Sequence, residues 1–321
     1  PFIYCNLVGA QDEIIFDGNS LIFDKDYKLI SKGKSFQEDL LISNLVDFED
    51  IKILSTEENL FNALTLGIRD YFIKSGHMKA VIGLSGGIDS ALVAILTVNA
   101  LGKDNVSLIS LPSRFSSDHS KIDALKLAQN LECNFQTIDI DPIFQSYINE
   151  LEAVFENQEQ SIVFENIQSR IRGNLLMALS NNDNALVVST GNKTELALGY
   201  STIYGDMIGA ILPIGDLTKI EVYNLCEYIN KQDNLIPQNI LDKTPSAELS
   251  PNQVDPFDYK HVSPIIDKFI TSNHNTELSS SFKKLILRNE FKRRQAPIIL
   301  RVSSKSFGVG RRMPIINSFN E

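Results

Sequence analysis

The chain has 321 residues, 43% hydrophobic and 22% charged, with a formal net charge of −10 at pH 7. That is the balance of an ordinary globular protein, long enough for one large domain or two smaller ones. The negative charge argues against nucleic acid or an acidic membrane as main partner, and no apolar run approaches the roughly 20 residues that span a bilayer. Cys5, Cys133 and Cys226 are far apart and form no C-x-x-C pair. A zinc site and a disulfide framework are therefore not expected, and a reducing cytoplasm fits best. Pro1 is not an initiator Met, so the sequence reads as a fragment or a processed product.

Residues 1–46 hold short alternating segments separated by Gly and Asp, the pattern of a β-rich stretch too short for a core of its own. From Thr56 the texture changes to helix and strand in alternation. "TEENLFNALTLGIRDYFIKSG" predicts a helix with Thr56 and Asn59 as a variant capping box and Gly76 as its stop. "KAVIGL" is a buried strand and 90–101 a nearly all-apolar helix. Strands follow at 105–111, 135–140 and 185–190, with helices at 118–131, 142–157 and 161–180 between them. A helix at 216–230 has Asp216 as its expected N-cap, and 231–262, rich in Pro, Asn and Asp, is expected to be a long loop. Strands of about six residues alternating with helices predict an α/β fold, a doubly wound parallel sheet with helices on both faces.

Between the first strand and its helix stands "SGGIDS", residues 85–90. A plain turn explains one glycine or two, but not Ser85, Asp89 and Ser90 around them. Strand, glycine turn, helix is the order that aims unpaired backbone amides at an anion, and glycines let phosphate oxygens approach the main chain. The spacing fits neither G-x-x-x-x-G-K-[ST] nor G-x-G-x-x-G. Asp89 would repel a bare phosphate, and Mg²⁺ between them removes the repulsion.

"SGGIDS" after the first strand resembles the pyrophosphate loop of the N-type ATP pyrophosphatases, whose fold is that of the adenine nucleotide alpha hydrolases. "STGNKTELALGYSTIYGDMIG" (189–209), "LPIGDLTKIEVYNL" (212–225), "IPQNILDKTPSAELSPNQVD" (236–255) and "NEFKRRQAPIILRVSSKSFGVGRRMPI" (289–315) resemble the synthetase domain of glutamine-dependent NAD⁺ synthetases, from about residue 56 to the C-terminus. The resemblance implies residues 47–321 as the synthetase domain and 1–46 as the tail of a nitrilase-like glutaminase domain. It implies ATP-dependent amidation of deamido-NAD⁺ through an acyl-adenylate, with ammonia from glutamine in the full-length enzyme, and a homodimer with "TEENLFNALTLGIRDYFI" as interface helix.

The site residues come from the same resemblance. Gly83, Leu84, Ser85, Gly86, Gly87, Ile88, Asp89 and Ser90 would hold ATP with Thr190, Lys219 and Ser246. Asp89 and Glu195 would hold Mg²⁺. Asn166, Arg170, Glu195, Tyr200, Asp206 and Lys292 would contact deamido-NAD⁺, and Asp89, Lys219 and Asp206 would carry the chemistry. Without it, Glu195 reads as a solvated cap, Asp206 as a turn residue, Asn166 and Arg170 as a surface pair four residues apart, and "KRR" at 292–294 as a solvated run. Lys219 alone is anomalous, a cation in the first turn of a helix. Ammonia-only relatives carry an Arg before the Leu-Pro pair where Ser110 stands here, and Arg114 is the candidate substitute. Cys5 reads as a core strand residue rather than a nucleophile, so the glutaminase part is expected to be incomplete. The alternatives are another pyrophosphatase-loop amidotransferase, making GMP or asparagine, or a catalytically silent assembly subunit.

Overall fold

The computed structural model describes residues 1–48, 51–151, 154, 162–251, 253–272 and 279–316. The chain opens with five short strands, β1 (Phe2–Tyr4), β2 (Val8–Gln11), β3 (Ile14–Asp17), β4 (Leu21–Phe23) and β5 (Leu29–Lys32). β1, β4 and β5 form one antiparallel sheet and β2 and β3 a hairpin. The β-rich pattern therefore ends at residue 32, with only a Gly18–Ser35 bridge beyond it.

Helix α1 (Thr56–Ser75) follows, then β6 (Ala80–Gly83), α2 (Ile88–Leu101), β7 (Val106–Ser110), α3 (Asp118–Asn130) and β8 (Asn134–Thr137). Next come α4 (Asp141–Leu151), α5 (Ile162–Asp183), β9 (Leu186–Val187), α6 (Lys193–Leu198), β10 (Ile211–Leu212) and α7 (Lys219–Asp233). The chain continues through α8 (Gln238–Asp242), α9 (Tyr259–Thr271), α10 (Ser280–Arg288), α11 (Glu290–Arg293) and β11 (Ile298–Ile299). The expected extension of the 142–157 helix beyond Leu151 lies largely outside the described residues. The expected loop at 231–262 instead contains the end of α7, all of α8 and the start of α9, because Pro237 and Asp258 start helices there.

The central sheet is parallel with the order β8-β7-β6-β9. A Val188–Ile211 bridge continues it to the parallel pair β10-β11. Its two faces carry separate cores. Leu64, Ile68, Leu92, Ile95, Leu96, Val222 and Leu225, from α1, α2 and α7, pack on one face. Phe144, Phe164, Ile167 and Ile171, from α4 and α5, pack on the other. This is the doubly wound arrangement that the alternation predicts. A third cluster, including Leu196, Ile266, Ile270, Ile286 and Phe307, holds α6, α9, α10 and the C-terminal segment together. α2 is buried all round, so truncating Leu92 or Leu96 to Ala would cost about 2–5 kcal/mol.

Two helix starts differ from expectation. α1 is capped by Ser55, which accepts from the Glu58 amide, one residue ahead of the expected box, while Gly76 ends it in the left-handed region at φ 77°. α7 is capped by Thr218 and Glu221 in a full capping box. Asp216 is not its cap: it is buried against Lys193 and accepts from the Val302 and Ser303 amides. The expected interface helix α1 buries Leu64, Leu66, Ile68 and Phe72 within the chain, so its apolar face is used against α2 and the β2-β3 hairpin. Cys5 is not the core strand residue expected: it lies just beyond β1 and is exposed, as are all three residues of that strand.

Candidate active site

The chain runs outward from β6 to β7 and β8, then returns to place β9 on the other side of β6. Loops leaving β6 and β9 must therefore diverge, and a crevice opens between them at the carboxyl ends of the strands. A cleft of about 390 Å³ lies there, walled by the loop after β6, the turn after β9, one face of α5 and the segment 243–249.

The 85–90 loop is folded on its own hydroxyls. Ser85 Oγ accepts from the Gly87 amide at 3.2 Å, Ser90 Oγ donates to the Gly87 carbonyl at 3.0 Å, and the two hydroxyls lie 3.1 Å apart. Gly86 has φ 78°, and a Cβ there would collide with the Ser120 carbonyl, so glycine is required twice over. α2 starts at Ile88 behind an N-cap Gly87 that offers no side-chain cap. Its first amides are left for a ligand, an arrangement suited to a phosphate.

Asp89, in the first turn of α2, meets residues far away in the sequence. Its carboxylate pairs with the Lys219 ammonium and accepts from Asn192 Nδ2 at 3.0 Å. Glu195 Oε1 lies 3.6 Å from Lys219 Nζ, which also sits 5.2 Å from the centre of the Tyr259 ring. Burial alone would pull the Lys219 pKa down, but Asp89 and then Glu195 outweigh it and hold the lysine charged. Burial, and next the charge of Asp89, raise the Glu195 pKa, so the pair is short of positive charge. Glu195 is a cap as well, since it completes the α6 capping box with Asn192, but it is half-buried rather than fully solvated.

Two carboxylates facing one lysine beside an open cleft are a donor set for a hard divalent cation that takes its other oxygens from a phosphate. Among the described residues no group of three or more His, Cys, Asp or Glu forms a protein-only metal cage.

Asp206 also lines the cleft and accepts from the Thr202 amide at 2.6 Å and from Ser169 Oγ at 3.1 Å. Desolvation raises its pKa, against the pull of these bonds. Lys292 donates to the carbonyls of Gly199 and Ser201 at 2.7 Å each, and burial lowers its pKa. Asn166 accepts from Thr202 Oγ1 at 2.7 Å. Ser246 Oγ donates to the Gln253 carbonyl and accepts from the Glu248 amide, shaping the loop that walls the cleft. Thr190 and Tyr200 line it too.

Of the sequence-derived residues, Gly86 lies behind the cleft wall and Arg170 is exposed, its Nε donating to the Ile203 carbonyl at 3.2 Å. Arg114 does not replace the missing charge near Ser110. It turns to Asp141 at 3.2 Å and Gln145 at 2.9 Å, stacked 5.8 Å from the Phe144 ring, because those partners lie on the adjoining α4.

The profile of the NAD synthase family matches residues 60–296. The chain belongs to the NAD synthase family. The matched span contains Asp89, Glu195, Lys219 and Lys292. A glutamine-dependent NAD⁺ synthetase from Synechocystis is 44% identical over the whole chain, which covers 61% of that relative. A solved glutamine-dependent NAD⁺ synthetase from Acinetobacter baumannii, in complex with ADP, is 34% identical with a TM-score of 0.73 over 98% of this chain and 61% of its own. An NMN synthetase from Francisella tularensis is 30% identical with a TM-score of 0.64 over 74% of this chain and 94% of its own. The chain spans about three fifths of the length of the glutamine-dependent relatives.

Within this cleft, sequence reasoning missed Asn192, which orients Asp89 while capping α6. Its signal was present, because an Asn followed three residues later by Glu is a helix start. It also missed Glu248, held by Ser117 Oγ at 2.9 Å, by Ser120 Oγ at 2.8 Å and by Lys243 Nζ at 2.5 Å, and Arg172 on the cleft face of α5. For those two no local pattern existed.

Proposed function

We propose that this chain catalyses the ATP-dependent amidation of deamido-NAD⁺ to NAD⁺ through an acyl-adenylate, releasing AMP and pyrophosphate. The observation that carries this reading is the meeting of Asp89, Glu195 and Lys219 at the uncapped start of α2. Open amides and a charged lysine can take the phosphates, and charge gathering on the leaving pyrophosphate is stabilised there without reorganisation. Asp89 and Glu195 would hold Mg²⁺, which, when bound, would neutralise phosphate charge and polarise the α-phosphorus. Asn192 and Lys219 keep the Asp89 carboxylate aimed at that point. Asp206 and Lys292 would receive the nicotinate and the incoming ammonia. Arg170, Asn166 and Tyr200 remain its proposed dinucleotide contacts.

Residues 47–321 would form the catalytic domain and 1–46 the tail of a neighbouring β-rich unit. Packing of β2 on α1 supports a fixed attachment, with the Ala10 amide donating to Asp70 Oδ2 at 2.8 Å and Lys74 Nζ to the Ala10 carbonyl at 2.5 Å. A homodimer in the cytoplasm is the proposed state, and sedimentation giving a fully active monomer would overturn the dimer. Burial pushes the Cys133 thiol up to about 11 and raises that of Cys226, so neither is an activated nucleophile, while Cys5 is exposed beyond its strand.

The test supplies this polypeptide with deamido-NAD⁺, Mg·ATP and one nitrogen donor at a time. Ammonium should support NAD⁺ formation at a rate that rises with pH as free ammonia increases, and glutamine should support little. Efficient glutamine use abolished by Cys5→Ser would overturn the assignment of the first 46 residues. Pyrophosphate release with nicotinate mononucleotide, XMP or aspartate but not with deamido-NAD⁺ would overturn the substrate.

A further inference from the structure

Arg172 sits on α5, on a face shared with Glu165, Asn166, Ser169, Gly173 and Leu176, all of which line the cleft. Its Nε donates to the Leu111 carbonyl at 2.8 Å, which fixes the guanidinium beside the carboxyl end of β7. A guanidinium has five N–H donors. Among the described residues the four on its two Nη groups have no acceptor, and no carboxylate lies within ion-pair distance. The acids nearest in charge are committed elsewhere, Glu248 to Lys243 and the α3 serines, and Asp141 to Arg114. Desolvation lowers the Arg172 pKa to about 10, and Glu248 and Asp141 only partly oppose it. A cation kept short of counter-charge beside a cleft is relieved by an oxyanion, and the planar fork matches phosphate oxygens two at a time.

We propose that Arg172 binds a phosphate group of a nucleotide held in the cleft through its two Nη groups, while its Nε secures the Leu111 carbonyl. This role rests on the amidation reading above. The phosphate can belong to ATP or to the pyrophosphate bridge of the dinucleotide, which share the chemistry.

A purely structural arginine would need only the bond to Leu111, and glutamine can keep that bond. Its Nε2 stands as many bonds from Cα as the arginine Nε, and it carries no guanidinium arms. Arg172→Gln is therefore expected to keep its thermal midpoint within about 2 °C. Its Kd for either Mg·ATP or deamido-NAD⁺, each titrated alone by calorimetry into the full 321-residue chain, should rise by about tenfold or more. The nucleotide whose affinity falls is the one whose phosphate Arg172 holds. Arg172→Lys should fall between the two, since it keeps the charge and loses the fork. If both affinities are unchanged in Arg172→Gln while the wild type binds, the proposal is overturned and the amidation reading stands. If the wild type binds neither nucleotide, both are overturned. Should the variant fail to fold, phenylglyoxal labelling of the wild type decides: Arg172 should be protected at saturating nucleotide, and equal labelling with and without it overturns the proposal.

Discussion

Two buried lysines, Lys193 and Lys219, each face two carboxylates, and the two sites differ in what happens to the surplus negative charge. Lys193 is fully buried, 3.2 Å from Asp216, 2.7 Å from Asp267 and 3.1 Å from Ser303 Oγ, so its three donors are used. Burial would lower its pKa, but Asp216 and then Asp267 outweigh that and raise it. The surplus is absorbed inside the protein: Asp216 accepts from two backbone amides and the Ser303 hydroxyl, and Asp267 is partly in solvent. Around Lys219 the surplus is not absorbed. Glu195 has one backbone donor, its pKa is raised, and the pair opens onto the cleft. A saturated charge cluster joins elements together, whereas an unsaturated one has capacity left for a ligand.

Breaking the unsaturated cluster should show the largest effect on activity. Lys219→Met removes the cation nearest the expected leaving group, and a loss on the order of 10³-fold in turnover is expected with the fold retained. Asp89→Asn should abolish ATP–pyrophosphate exchange in a protein with an unchanged circular dichroism spectrum, and near-normal exchange would sink its proposed role as a metal ligand. Removing Mg²⁺ with EDTA should reproduce the Asp89→Asn behaviour in the wild type.

Gly86→Ala sharpens the same side of the comparison by moving the amides rather than the charges. The side chain would strike the Ser120 carbonyl, so the loop must shift, and a loss of about 10²-fold is expected from displacement alone.

The saturated cluster should respond in the opposite currency. Lys193→Met leaves Asp216 buried without its cation, and a stability loss of about 3–5 kcal/mol is expected by urea unfolding. Activity per folded molecule should change far less than in Lys219→Met, and equal loss in both would erase the distinction. The smallest effect belongs to Arg114→Ala. Its partners Asp141 and Gln145 are away from the cleft, so turnover should stay within about twofold and stability within about 1 kcal/mol.

The alternation of strands and helices, the apolar α2 and the "SGGIDS" loop were legible in the sequence because each depends on neighbours a few positions apart. Boundaries were less so. The Ser55 and Thr218 caps were each displaced from expectation, because several Ser, Thr and Asp residues in a row can all start a helix, and tertiary partners choose among them. Asp216 shows the choice being made: the Lys193 ammonium and the amides of Val302 and Ser303 claim its carboxylate, leaving Thr218 to cap.

By itself, then, the sequence determined the elements and the glycine loop, since hydrophobic period, glycine content and capping residues act locally. Which side chains meet in the cleft was decided only by the tertiary structure. Asp89 reaches Asn192 across 103 positions and Lys219 across 130, and both meetings exist because the sheet order places β9 beside β6. The same topology turns Arg172 inward and leaves Arg170, two residues earlier, outside, since a two-residue step on a helix changes face. Side-chain charge can be read from any position of the chain, but its counter-charge is set by strand order and helix rotation, which only the folded packing fixes.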